Sequence, residues 1–214
     1  MAWAFTVVRK VFGAKRSMFL ELCAGFGSNS SFLYKETGVK SILLHTYSRK
    51  IANLGHATNF VVYSQVCPIQ NVKLHVAQYD VIYSFLCLSY LNEIEIDELI
   101  QKLYLSQVNE GSAIIFTELV DKSLTTSYEM ASHGGMTIFM RRPEFYFHRL
   151  KNNGFLCQVK KIFPEKKLEG FLGDMCTYVA TRAGTLSYGK KAAKNAAKLG
   201  VEFIDSSAFQ FGKL

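Results

Sequence analysis

Residues 18–31 read MFLELCAGFGSNSS. An apolar run ends in an acid, Glu21, and two glycines, Gly25 and Gly27, follow before small polar residues. Buried parallel strands read as unbroken apolar runs, and glycine admits the backbone angles of a sharp turn. The stretch therefore predicts a strand over Met18–Leu22, a tight turn, and a helix near Ser30–Thr37 whose N-terminus faces a ligand. The same glycines would also serve a bare strand-to-helix turn, and Glu21 would then cap neighbouring amides.

Downstream, apolar segments alternate with helical patterns, as in an α/β domain. KSILLHT (40–46), NFVVYSQV (59–66), QYDVIYSFLCL (78–88) and NEGSAIIFTEL (109–119) are expected strands, and Arg49–Thr58 a helix. From Glu93 to Gln107, Ile94, Leu99 and Leu103 recur at helical spacing behind an acidic first turn that suits the helix dipole. Residues 121–135 read as a polar loop. RRPEFYFHRLKNNGF (141–155) reads as a helix stopped at Asn-Gly, with Pro143 in its first turn. FLCQVKKIFPEKK (155–167) and DMCTYVATR (174–182) suit a closing hairpin. Asp80 reads as a turn residue.

The chain has 214 residues, 49% of them hydrophobic, which suits one domain with a sizeable core. Its longest apolar runs are too short and too interrupted for a transmembrane segment. The five cysteines (Cys23, Cys67, Cys87, Cys157, Cys176) stand far apart, which suits small core residues in a reducing compartment and argues against a disulfide framework or a zinc site. His45, His56, His75, His133 and His148 share no metal-ligand spacing, so no metal is expected.

The net charge of +8 gathers at the ends. Residues 1–17 hold Arg9, Lys10, Lys15 and Arg16 and no acid, and resemble a mitochondrial targeting segment; the alternative location is the cytoplasm. Residues 183–214 form a basic extension in which Lys190, Lys194 and Lys198 recur every four residues beside Lys191. Such a face suits RNA, anionic lipid or a protein neighbour in a large assembly, and equally a solvated tail.

The order of these pieces resembles the class I S-adenosylmethionine-dependent methyltransferases, most nearly the protein N-terminal (alpha-N) methyltransferases, whose loop reads roughly DCGAGIGR against ELCAGFGS (21–28) here. The likeness spans residues 18–182. It implies a Rossmann-like, mostly parallel seven-stranded sheet with helices on both faces, and S-adenosylmethionine across the strand ends at Glu21, Gly25, Gly27, His45 and Gln65. Several positions depart from that pattern. Cys23 replaces the first loop glycine and Ser28 an arginine. The ribose-holding acid falls at His45 or Thr46, neither of which can offer a bidentate carboxylate. The glutamine–tryptophan pair becomes Phe85–Leu86, an Asp-Asn becomes Glu118–Leu119, and SHGGMTIF (132–139) lacks the later catalytic aspartate. Glu118 and Asp121 remain as candidate catalytic carboxylates.

The reading is thus a methyltransferase-like domain that has lost catalysis, holds no cofactor, and serves as a structural subunit of a large mitochondrial complex. That complex would be a respiratory or ATP-synthase complex or a ribosome. The rival reading is an active methyltransferase acting on a protein amine or RNA.

Overall fold

The structure, a computed structural model, describes residues 18–30, 34, 41–55, 61–74, 79–106, 112–121, 124–125, 128–133, 136–162 and 174–182. The leader 1–17, the extension 183–214 with Lys190, Lys191, Lys194 and Lys198, and the helix expected near Ser30–Thr37, apart from Ser30 and Tyr34, lie outside these residues.

Nine strands form one sheet: β1 (Met18–Leu22), β2 (Ser41–Thr46), β3 (Val61–Val66), β4 (Val81–Phe85), β5 (Ala113–Val120), β6 (Tyr128–His133), β7 (Met136–Arg141), β8 (Phe155–Ile162) and β9 (Asp174–Arg182). The described helices are α1 (Arg49–Leu54), α2 (Glu93–Ser106) and α3 (Pro143–Asn152).

Strands β3, β2, β1, β4 and β5 run parallel in that order. β9 lies antiparallel on β5 and β8 antiparallel on β9. This is the mostly parallel, seven-stranded Rossmann-like frame that the strand pattern and the resemblance imply. The hairpin β6–β7 is an addition, joined to β5 at the single pair Val120↔Arg141. It replaces much of the polar loop expected over residues 121–135.

β5 is buried along all eight residues and β4 along Val81–Ser84, as central strands covered on both faces must be. Under them, Ile96, Leu99, Ile100 and Leu103 of α2 and Tyr146, Phe147 and Leu150 of α3 pack against Leu20, Ile82, Ile114 and Phe116. A reciprocal capping box starts α2: Glu95 N–H donates to Asn92 Oδ1 at 3.0 Å, and Asn92 N–H to Glu95 Oε2 at 2.8 Å. Arg149 of α3 ties the helices by ion pairs to Glu93 and Asp97. Asp80 pairs with the start of β1, its carboxylate accepting Met18 N–H at 3.0 Å. Among the described residues no helix is long and apolar enough to cross a membrane.

Candidate functional site

In an open α/β sheet, ligands bind beyond the carboxyl ends of the strands where the strand order reverses. Here the reversal falls between β1 and β4, and the two loops leaving those strands face each other. The first is the glycine turn. Gly25 and Gly27 have φ of 53° and 75°, and Gly27 N–H closes the turn on Ala24 O at 2.8 Å. A Cβ added at Gly25 would meet nothing within 4 Å, so the turn presents its bare backbone to open space.

That space is a crevice of about 430 Å³, lined in part by Cys23, Gly25, Thr46, Tyr47, Ile69, Leu86, Cys87 and Tyr90. Its described lining is mostly apolar and includes no carboxylate. Two residues with side chains adopt left-handed backbone, Cys23 and Leu86, each at φ 54°. Both line this crevice, and strained backbone clusters at functional clefts.

Of the residues expected to hold the cofactor, only Gly25 is on the described lining. Glu21 is buried beneath the turn, its Oε2 accepting the hydroxyls of Ser30 and Tyr83, the latter at 3.1 Å. It ties β1, β4 and the helical turn at 28–30 together. Burial pushes its carboxyl up to about 7, with those hydroxyls pulling the other way.

His45 is likewise turned inward and fully buried. Its Nδ1 accepts Cys23 N–H at 3.2 Å, so the ring is the Nε2–H tautomer and donates to Cys67 O at 2.9 Å. Burial lowers its pKa, which keeps it neutral in this role. His45 therefore clamps the glycine turn to the end of β3 and leaves the lining to Thr46. Gln65 is also committed elsewhere: it donates to Lys73 O and accepts Lys73 N–H, both at 2.8 Å. Gln70, in the one-turn helix Ile69–Asn71, lines the crevice instead.

Neither catalytic candidate reaches the crevice. Glu118, fully buried on β5, accepts the amides of Cys87, Leu88 and Ser89 at 3.0, 2.9 and 3.2 Å. Burial pushes it up to about 7 against those amide bonds. Asp121 leaves β5 with its own N–H on Arg141 O at 3.0 Å.

Arg141, at the head of the 141–155 stretch expected to be helical, instead ends β7 and is fully buried. Its guanidinium donates to the carbonyls of Leu88 and Leu91 and lies 4.8 Å from the Phe145 ring centroid. Glu118 on the amides and Arg141 on the carbonyls thus fix the one-turn helix Leu88–Tyr90 from both sides.

The cysteine expectation needs correcting. Cys23 and Cys87 form a disulfide at the crevice, with Cα atoms 5.9 Å apart, while Cys67, Cys157 and Cys176 are not disulfide-bonded. β1 and β4 are adjacent with Leu22 opposite Ser84, which brings the loops leaving the two strands side by side; no local sequence pattern announces that contact.

Two side-chain atoms of the crevice region stand out chemically. Thr46 is fully buried, lines the crevice, and its Oγ1 has no hydrogen-bond partner within the described protein. Tyr63 OH donates to Gly25 O at 2.8 Å and holds the turn from the β3 side.

No family model and no curated protein sequence matches this chain. Solved structures do. A methyltransferase dependent on S-adenosylmethionine from Mesorhizobium loti superposes with a TM-score of 0.67 at 14% identity, covering 85% of this chain and 96% of that one. One from Clostridium acetobutylicum gives 0.64 at 14% identity, covering 85% and 91%. A DhpI–SAH complex gives 0.61 at 16%, covering 85% of each chain. The chain has the fold of the class I S-adenosylmethionine-dependent methyltransferases.

Proposed function

We propose that this chain is a non-catalytic protein of the methyltransferase fold that keeps a nucleoside-sized crevice and serves as a structural subunit of a larger mitochondrial assembly. One observation carries the loss of catalysis. No carboxylate stands on the described crevice lining, and the two nearest buried acids, Glu21 and Glu118, are engaged by hydroxyls and backbone amides. A methyl acceptor that must lose a proton finds no base there. A ribose finds the Thr46 hydroxyl where a carboxylate would accept both of its hydroxyls. Replacing two charge-assisted contacts at about 1.5–3 kcal/mol each weakens binding by roughly a hundredfold to ten-thousandfold.

The assembly role rests on the basic ends of the sequence, with Lys190, Lys191, Lys194 and Lys198 as the docking face toward protein, RNA or lipid headgroups. Its test is the migration of the native protein after gentle lysis. A free 24.1 kDa species counts against it.

The second reading is an S-adenosylmethionine-dependent methyltransferase acting on a protein amine or RNA. The unpartnered Thr46 hydroxyl favours it, because a bound sugar would satisfy that atom. Calorimetry with S-adenosylmethionine and S-adenosylhomocysteine separates the two. The non-catalytic reading expects millimolar or no binding, and a gain of at least about tenfold in Thr46→Asp. Micromolar affinity in the native chain, abolished by Gly25→Arg, establishes the enzyme reading instead.

A further inference from the structure

We propose that Cys23 and Cys87 form a thiol–disulfide exchange site that ties and releases the two loops bordering the crevice, with small-molecule disulfides and thiols of the glutathione class as its reactants. The bond staples the glycine turn to the loop after β4, so it spans the reversal point of the sheet rather than a peripheral loop. Both sulfur-bearing residues line the open crevice. Their accessibility differs: Cys23 is half-buried and Cys87 fully buried.

That asymmetry assigns the order of events. In closure, the Cys23 thiolate attacks a disulfide RSSR, forming a Cys23–SR mixed disulfide and releasing RS⁻. Cys87 then gives up its proton, and its thiolate attacks the Cys23 sulfur and expels the second RS⁻. Two protein thiols are oxidised by two electrons, RSSR is reduced, and the two protons end on the two RSH products. Opening runs in reverse, with an external thiolate entering at Cys23 and Cys87 leaving as thiolate.

The two halves that the bond joins are separately braced, so its opening moves loops and leaves the sheet intact. His45 Nδ1 and Ala24 N–H on His45 O hold the turn to β2. Glu118 and Arg141 hold the Cys87–Leu91 loop to β5 and β7. Between the two loops, the disulfide is the covalent tie.

The test uses the full chain and no nucleoside, so its outcome is independent of whether the crevice binds one. Alkylation and peptide mass mapping in oxidised glutathione should show Cys23 linked to Cys87, with Cys67, Cys157 and Cys176 not disulfide-bonded, and reduced glutathione should open the link. Amide hydrogen exchange over residues 22–30 and 86–91 should then rise by about tenfold, with the exchange of β5 unchanged.

Cys87→Ser should trap the glutathione adduct on Cys23. In Cys23→Gly, which suits the left-handed backbone there, adduct formation at Cys87 should be at least about tenfold slower. A link that never forms, or one that opens without changing loop exchange, overturns the proposal. So does equal adduct formation at both cysteines. Either single variant suffices for the adduct comparison if the other fails to fold, because the native chain supplies the second rate.

Discussion

Glu21 and Glu118 are two buried carboxylates at the same end of one sheet, both pushed up to about 7 by burial. Their partners are of different kinds. Glu21 is held chiefly by two hydroxyls, which rotate and can trade donor for acceptor, with the Asn29 side chain and the Ser30 amide contributing less. Glu118 accepts three backbone amides, which cannot turn away. The β1 side of the crevice is thus held by adaptable groups, and the β4–β5 side by an acid fixed on rigid donors and backed by a buried guanidinium. Both acids are engaged by protein groups, but by groups of different kinds, and the difference predicts unequal responses to the same substitution.

The largest expected effect is on pH dependence. A carboxyl that titrates at about 7 when folded, against the ordinary 4.5, binds its proton more tightly in the native state. Its contribution is therefore present at pH 4.5 and below and is lost as pH rises toward 7, the opposite of an ion-paired acid. His45 works in the reverse sense, since its lowered pKa makes acid destabilising below its ordinary 6.5. Subtracting the stability of Glu118→Gln from that of the native chain cancels the histidine. The difference should fall by about 3 kcal/mol between pH 5 and pH 8, measured by urea denaturation. A flat difference would show that Glu118 is not buried as described.

At fixed pH 8, Glu118→Gln and Glu21→Gln test the comparison itself. A glutamine at position 118 can offer its oxygen to Cys87 and Leu88, but its NH₂ then faces Ser89 N–H. We expect a loss of about 2–3 kcal/mol there, and under about 1 kcal/mol at position 21, where the rotatable hydroxyls adjust. Equal losses would break the distinction between the two sides.

Gly55→Ala is expected to have a smaller effect, confined to the adaptable side. A Cβ at Gly55 would fall 1.9 Å from Tyr63 OH, which is the group holding Gly25 O. The ring must move, and the glycine turn loses its brace from β3. A destabilisation of about 1–2 kcal/mol is expected, with Tyr63→Phe reproducing about half of it. A fully additive double variant would show that Gly55 does not act through Tyr63.

The parts of this frame that the sequence made legible are those carried by local pattern. Met18–Leu22, the glycine turn, the acidic start of α2 and the Pro143 start of α3 each combine periodicity with a capping or turn residue. The parts it hid depend on contacts between distant residues. Tyr128–His133 carries no sustained apolar alternation, so β6 reads from sequence as loop. The choice between His45 and Thr46 was open because the pairing of β2 with β3 shifts register between Leu44 and His45. Alternation fails there, and both side chains are buried. Arg141 sits in a stretch read as helix from residue 141, yet it ends β7 and its guanidinium lies against the rings of Phe139, Phe145 and Tyr146.

That register shift leads to the smallest prediction, at Thr46. Its hydroxyl is buried without a partner, so in the ligand-free chain it contributes a desolvation cost and no compensating bond. Thr46→Val keeps the shape and removes the polar atom. The variant should be as stable as the native chain or more stable by about 0.5–1 kcal/mol, where a hydrogen-bonded buried threonine would lose that much or more. Thermal denaturation in nucleoside-free buffer decides it. A clear loss of stability would mean that Oγ1 already has a partner, removing the argument that this position is turned toward something the crevice is meant to hold.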